Sequence, residues 1–207
     1  MIALPSQFFV TGTDTSVGKT VVSALLTLGL QGAYWKPIQS GLDPIGDTDY
    51  VRKVTGLPDD HFFPERFKLT QPLSPHAAAA IDGVSISLDD FELPATAKPY
   101  LIVEGAGGIL VPINNQYYIL DLIQHLKLPV VLVARSTLGT INHTLLSLKC
   151  LRQARIPVVG VILNGPKNPG NAAAIETYGK VSILAEIELM ETVEPAMLKQ
   201  QAKFLRL

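Results

Sequence analysis

Residues 12–20 read Gly12-Thr13-Asp14-Thr15-Ser16-Val17-Gly18-Lys19-Thr20, a glycine-bounded loop that closes on Gly-Lys-Thr. A loop of this kind can hold a polyphosphate. Backbone N–H groups wrap the anion, the helix that follows turns its positive dipole end toward it, and the lysine ammonium reaches the outer phosphates. The Thr20 hydroxyl is then placed to ligate Mg²⁺. Gly12 and Gly18 enclose five residues, one more than the usual phosphate-loop spacing. The flanks support the assignment: the apolar run Phe8-Phe9-Val10 reads as a strand, and Val21-Val22-Ser23-Ala24-Leu25-Leu26 as a helix. The plainer alternative is a βα turn with a solvated lysine, and the strand–loop–helix order favours the phosphate site.

Two further charged side chains stand where such a site needs them. Tyr34 and Trp35 suit a strand and Pro37 ends it, so Lys36 emerges at a carboxyl end of the sheet, with Ser40 soon after in a Gly-bounded loop. In open parallel sheets ligands collect at that edge. Tyr100 to Val103 is a continuous apolar run that ends in Glu104 and then Gly105-Ala106-Gly107-Gly108. An acid on a strand beside a phosphate loop can serve the metal. A solvated strand end is the plainer role, but glycines that permit close backbone approach favour the metal. At Gly46-Asp47-Thr48-Asp49 a helix starts, with Asp47 or Thr48 as its cap; capping is the preferred role for Asp47. His76 follows Ser74-Pro75 at another helix start and reads as a hydrogen-bonded turn residue rather than a catalyst.

The elements that must position these groups alternate along the chain. Residues 57–75 are Pro-rich and aromatic and read as an irregular excursion. Ile119 to Leu126 is apolar at helical spacing, and Pro129 to Ala134 is a buried strand. A long helix opens at Gly139 and runs toward Arg152, with Leu145, Leu148 and Leu151 facing inward. Pro157 to Leu163 is another buried strand, delivering Asn164 and Gly165 to the same edge. A helix near Asn171 to Tyr178, a strand at Val181 to Leu184 and a helix from about Glu194 to Leu205 complete the order. The expected fold is therefore α/β: a single doubly wound, mostly parallel sheet with helices on both faces, like the P-loop nucleoside triphosphatases.

Composition bounds the function classes. The 207 residues carry a formal net charge of −1, 47 % hydrophobic and 17 % charged side chains. That suits one compact domain, residues 1–207, and gives no electrostatic case for nucleic acid or an anionic membrane. The single cysteine, Cys150, excludes an intrachain disulfide and any cysteine-based metal cluster and reads as core packing. No apolar run reaches the roughly 18 residues of a membrane span. With no basic leader and cleavage pattern at the start, a cytoplasmic location is expected.

Gly12 to Thr20, Lys36-Pro37-Ile38-Gln39-Ser40-Gly41, Pro72-Leu73-Ser74-Pro75-His76, Val103 to Gly108 and Gly139-Thr140-Ile141-Asn142-His143 together resemble the dethiobiotin synthetase family. The five-residue loop is that family's form, and the segments follow its order over most of the chain. The resemblance implies a ligase that joins 7,8-diaminopelargonate and CO₂ with ATP and Mg²⁺, giving dethiobiotin, ADP and phosphate through a carbamate and its phosphorylated mixed anhydride. It implies catalytic roles for Lys19 and Lys36. ATP would be bound by Thr15, Ser16, Val17, Gly18, Lys19, Thr20, Val21, Asp49, Glu104, Gly105, Ala106, Gly107, Asn164, Gly165, Glu188, Leu189 and Met190. The metal would fall to Thr20, Asp49 and Glu104, with Asp49 matching the family's acid better than Asp47. Substrate would meet Ser40 and, through helix N-terminal amides at a homodimer interface, Gly139, Thr140, Ile141 and Asn142. The family's Gly-Glu-Ile-Pro near the base stands here as Ala185-Glu186-Ile187-Glu188, which bears on purine selectivity. Two relatives of the same sheet are weaker matches. Partition ATPases carry an extra early lysine that residues 13–17 lack, and cobyrinate-type synthases need a glutaminase cysteine.

Overall fold

The computed structural model describes residues 4–42, 44–190 and 192–203. In chain order it contains β1 (Gln7–Gly12), α1 (Lys19–Leu30), β2 (Ala33–Trp35), β3 (Ile38–Ser40), α2 (Asp47–Thr55), β4 (Phe62–Phe63), β5 (Phe67–Leu69) and α3 (Pro75–Asp82). Then follow β6 (Leu101–Gly108), α4 (Ile119–Leu126), β7 (Val130–Arg135), α5 (Thr140–Gln153), β8 (Val158–Asn164), α6 (Pro169–Gly179), β9 (Ile183–Ile187) and α7 (Pro195–Ala202).

Seven strands pair in the order β4-β2-β6-β1-β7-β8-β9, every ladder parallel. Parallel strands need covered faces, and alternate side chains of the apolar runs feed two separate cores. Phe9, Val103 and Leu132 face α3, α4, α5 and α6. Phe8, Val10, Ile102, Val131 and Val133 face α1, α2 and α7. The doubly wound, parallel expectation is met. Because β1 has β6 on one side and β7 on the other, the chain leaves it in both directions, and a crevice opens at its carboxyl end.

Several element boundaries differ from the sequence reading. Residues 57–75 are not wholly irregular: Phe62 and Phe63 form the sheet edge beside β2, and β5 pairs with β3 in a separate two-stranded ribbon. These strands have two or three residues, too few for an alternation pattern to show. Strand β6 does not end at its acid but continues through Glu104 to Gly108. Strand β9 runs on to Ile187, so Ala185 and Ile187 are buried sheet residues. The last helix starts at Pro195; the end placed at Leu205 lies outside the described residues.

Candidate functional site

The 12–20 loop hangs between β1 and α1 and is braced from several sides. Thr13 donates its N–H to Val133 O at 2.9 Å, and Asp14 Oδ1 accepts from the Thr15 amide at 2.7 Å. From β8, the Asn164 side chain donates Nδ2–H to Val17 O at 3.1 Å. Gly18 then turns left-handed (φ 91°) to start α1, with no side chain capping the helix. The first amides of α1 are therefore left for an anion. A Cβ on Gly18 would lie 2.1 Å from Asn164 Nδ2, so both backbone conformation and close approach demand glycine there. Lys19 folds back across the loop, its Nζ donating to Asp14 O at 3.0 Å.

Below the loop lies a buried ionic cluster. Glu104 is fully buried (0 % exposed) in mid-strand. Its Oε1 accepts from Thr20 Oγ1 at 2.9 Å and from Lys36 Nζ at 3.1 Å; its Oε2 accepts from the Tyr34 phenol at 2.9 Å. Lys36, 4 % exposed, also donates to Gly105 O at 3.2 Å and pairs closely with Asp47 Oδ2. A buried cation thus meets two carboxylates, the arrangement burial requires. Burial pulls the Lys36 ammonium down, but the charges of Glu104 and Asp47 outweigh it and hold the group above its ordinary value. Lys19 shows the opposite balance. Its own burial first, and the Lys36 charge second, bring it down to about 8.

Apart from Tyr34 and Gly105, these groups line one crevice of about 810 Å³. Thr15, Ser16, Gly18, Lys19, Thr20 and Val21 form one wall; Lys36, Ser40 and Asp47 another; Glu104, Ala106 and Gly107 the floor. Ile45, Pro72, Leu73, Pro75 and Val111 add an apolar side. Ser40 Oγ is buried with no hydrogen-bond partner among the described residues, a donor and acceptor left for a ligand.

Not every expected residue joins them. Asp49 lies on the outer side of α2, its side chain 58 % exposed and bonded to Arg52 Nη1 at 2.5 Å. Asp47 occupies the inner position instead and caps nothing. The N-cap is Gly46, and the Asp47 amide is satisfied by Gln39 Oε1 at 3.0 Å. Two residues along a helix turn by about 200°, so Asp47 and Asp49 cannot share a face. Of the two acids, Asp47 lines the crevice and Asp49, expected among the metal ligands, faces away from it. Val17 is buried beneath the loop, and Gly105 contributes its carbonyl to Lys36. Asn164 touches the loop from outside the crevice wall, and Gly165 N–H bonds Ile187 O at 2.8 Å. Glu188 pairs with Lys167 at 3.4 Å, Leu189 is exposed, and Met190 packs on the α1 side core. Gly139 to Asn142 open α5 at the same sheet edge but do not line this crevice; Arg135, beside Gly139, reaches Asp14 at 3.8 Å and His143 Nδ1 at 3.0 Å. His76 is an exposed helix-start residue hydrogen-bonded to Ser74 at 2.9 Å. Tyr34 reaches the site without a motif signal of its own, whereas Gln39 stands inside the Lys36 to Gly41 motif and Asp47 reads as a cap, neither signalling a role at the site. Only the alternation that puts Tyr34 and Glu104 on one face hints at the first contact.

Among the described residues, no three His, Cys, Asp or Glu side chains form a ready metal cage. The donors present, one hydroxyl and two carboxylates, are hard oxygens. That set fits Mg²⁺, which is bound through one or two carboxylates plus substrate phosphates rather than by an all-protein cage.

A family model described as an AAA domain matches residues 6–197. The ATP-dependent dethiobiotin synthetase of Paramagnetospirillum magneticum is 50 % identical over 188 residues, 91 % of this chain and 90 % of that protein. That of Brucella ovis is 44 % identical over 193 residues, 93 % of this chain and 91 % of its own length. The biotin biosynthesis bifunctional protein BioCD of Bordetella avium is 50 % identical over 191 residues; they make up 92 % of this chain but only 41 % of that longer protein. Among solved structures, a ParA family ATPase from Chlorobium tepidum superposes with a TM-score of 0.53 at 14 % identity, covering 97 % of this chain and 100 % of its own. The MinC:MinD complex of Aquifex aeolicus gives 0.53 at 14 % identity, covering 95 % and 86 %. At that distance the likeness concerns the fold alone.

Proposed function

The chain belongs to the ATP-dependent dethiobiotin synthetase family, cyclo-ligases of biotin biosynthesis, and on that premise we propose that it closes the ureido ring of dethiobiotin from 7,8-diaminopelargonate, CO₂ and ATP. One amine nitrogen bonds to the carbon of CO₂ and loses a proton, giving a carbamate. A carbamate oxygen takes the γ-phosphoryl group of ATP, and ADP leaves. The second amine attacks the carbamoyl carbon, phosphate departs, and the ring is complete.

The chemical obstacle is charge, since an anionic carbamate must approach an anionic triphosphate. The observation that carries the reading is that Lys36 and Lys19 line the same crevice, beside the start of α1 that no side chain caps. Phosphoryl transfer is mainly positioning and charge stabilisation, and these groups supply both. Lys19 meets the outer phosphates. Lys36, held by Glu104 and Asp47, stands toward the carbamate and the phosphoryl group in transit. Mg²⁺ would be held by Thr20, Glu104 and Asp47, and when bound it neutralises charge on the triphosphate. The apolar side of the crevice and the free Ser40 hydroxyl take the diamine. Asn164, an amide with both donor and acceptor, takes the base together with Gly165, Glu188, Leu189 and Met190.

We read residues 1–207 as one synthetase domain acting in the cytoplasm, its substrate site shared with a second copy across the start of α5. No helix among the described residues is long and apolar enough to cross a membrane. A partition-type ATPase sharing this fold would hydrolyse ATP with no diamine present. ADP release with diamine and bicarbonate supplied or withheld separates the two: strong dependence on both, lost in Lys36→Ala and Lys19→Ala, is expected. Diamine-independent turnover that survives both substitutions rules the ligase out.

A further inference from the structure

The three donors to Glu104 divide between its two oxygens. Thr20 and Lys36, both in the crevice wall, take Oε1. Oε2 accepts from the Tyr34 hydroxyl at 2.9 Å, and Tyr34 is fully buried and not part of that wall. The pairing follows from register. Tyr34 on β2 stands opposite Ile102 on β6, two residues before Glu104, so the phenol reaches diagonally across one face of the sheet. Its ring sits in the core beneath α1 with Phe8, Val10 and Ile102.

From this division we infer that Tyr34 is a positioning residue that sets which divalent cation the site accepts. By holding Oε2 inside the core, it leaves Glu104 a single oxygen turned to the crevice. Ca²⁺ takes six to eight oxygens and commonly chelates both oxygens of a carboxylate, whereas Mg²⁺ requires a tight octahedron of separate donors. Turning Oε2 outward to chelate would leave the phenol O–H unpaired in the core, a costly loss. The residue therefore selects Mg²⁺ against Ca²⁺ from outside the coordination shell.

The inference rests on the reading of Glu104 as a metal-holding carboxylate, and the experiment keeps the two apart. Mg²⁺ and Ca²⁺ are titrated calorimetrically into protein saturated with ADP, for the unaltered chain, Tyr34→Phe and Glu104→Gln. In Tyr34→Phe the preference for Mg²⁺ over Ca²⁺ should fall by about tenfold, within the range of outer-shell substitutions. An unchanged preference in folded Tyr34→Phe, with cation binding lost in Glu104→Gln, overturns the role of Tyr34 alone. Cation binding that survives Glu104→Gln overturns the reading beneath it. Should Tyr34→Phe not fold, the carboxylate stretching bands of ¹³C-glutamate-labelled protein with Mg²⁺ and ADP decide, with Glu104→Gln identifying the relevant bands. A wide splitting, from one-oxygen ligation, supports the inference; a narrow, chelate-type splitting overturns it.

Discussion

The Lys19 ammonium, desolvated and facing the charge of Lys36, sits at about 8 rather than its ordinary 10.5. A folded value below the unfolded one means that the unfolded chain holds more protons between those limits. The stability of the unliganded protein should therefore rise with pH from about 8 toward 10, readable as a rising urea midpoint; above 10 the raised phenol of buried Tyr34 opposes it. Nucleotide binding has the opposite sign. A polyphosphate favours the protonated lysine, so binding above pH 8 must take up a proton, and affinity weakens by up to about tenfold per pH unit. Calorimetry of ADP at pH 7 and pH 9, in buffers of different ionisation enthalpy, reads that uptake directly; none at pH 9 removes Lys19 from the phosphate site. Lys36, held high by Glu104 and Asp47, contributes no limb in this range. Its role is tested by Lys36→Met. The phosphoryl-transfer rate should fall roughly 10²–10³-fold, the scale for losing one transition-state charge partner, while ADP affinity changes little.

At the scale of the elements, the loop depends on one contact between β8 and the start of α1. Gly18→Ala forces an L side chain into a left-handed conformation, costing about 1–2 kcal/mol, and drives it against Asn164 Nδ2. The loop relaxes away, and nucleotide must restore it. ADP binding should weaken about tenfold or more, and Gly18→Ala/Asn164→Ala should recover only part, because the backbone strain remains and the Asn164 amide is lost to the base. Full recovery would show that the clash alone matters. Gln39 performs a comparable task between β3 and α2: its Oε1 takes the Asp47 amide, and its Nε2 donates to Gly41 O at 2.8 Å. This scale also explains what the sequence disclosed. The loop, the buried strands and the Lys36 exit are local patterns, set by apolar runs that end in glycine or proline, and they stand where they were expected apart from the ends of β6 and β9. Asp47 and Asp49 differ by a rotation about a helix axis, which depends on where the helix begins. Gln39 set that start through a contact eight positions away. Glu104 read as a strand end because an acid in mid-strand is unfavourable alone; its three donors come from two other segments of the chain, the start of α1 and the end of β2.

The whole molecule leaves a question that one copy does not answer. Gly139 to Asn142, which the family resemblance implies would meet substrate, lie outside the crevice of their own chain. Helices α5 and α6 present a groove of about 440 Å³, lined by Leu145, Leu148, Lys149, Arg152, Gln153 and Tyr178. Beside it Leu146 is 54 % and Tyr178 73 % exposed. Exposed apolar side chains on two neighbouring helices flanking a groove suit an interface between copies. A two-fold pairing there would bring both α5 helices to one axis, with each crevice completed by its neighbour. Sedimentation equilibrium should show a dimer, and Leu146→Glu/Tyr178→Glu should turn it into a monomer by placing like charges at the contact. Because neither residue lines the crevice, ADP affinity should hold in the monomer, while the KM for the diamine rises. A variant that remains dimeric with an unchanged KM places the interface elsewhere, and a monomeric parent with full turnover means that each chain closes the ring by itself.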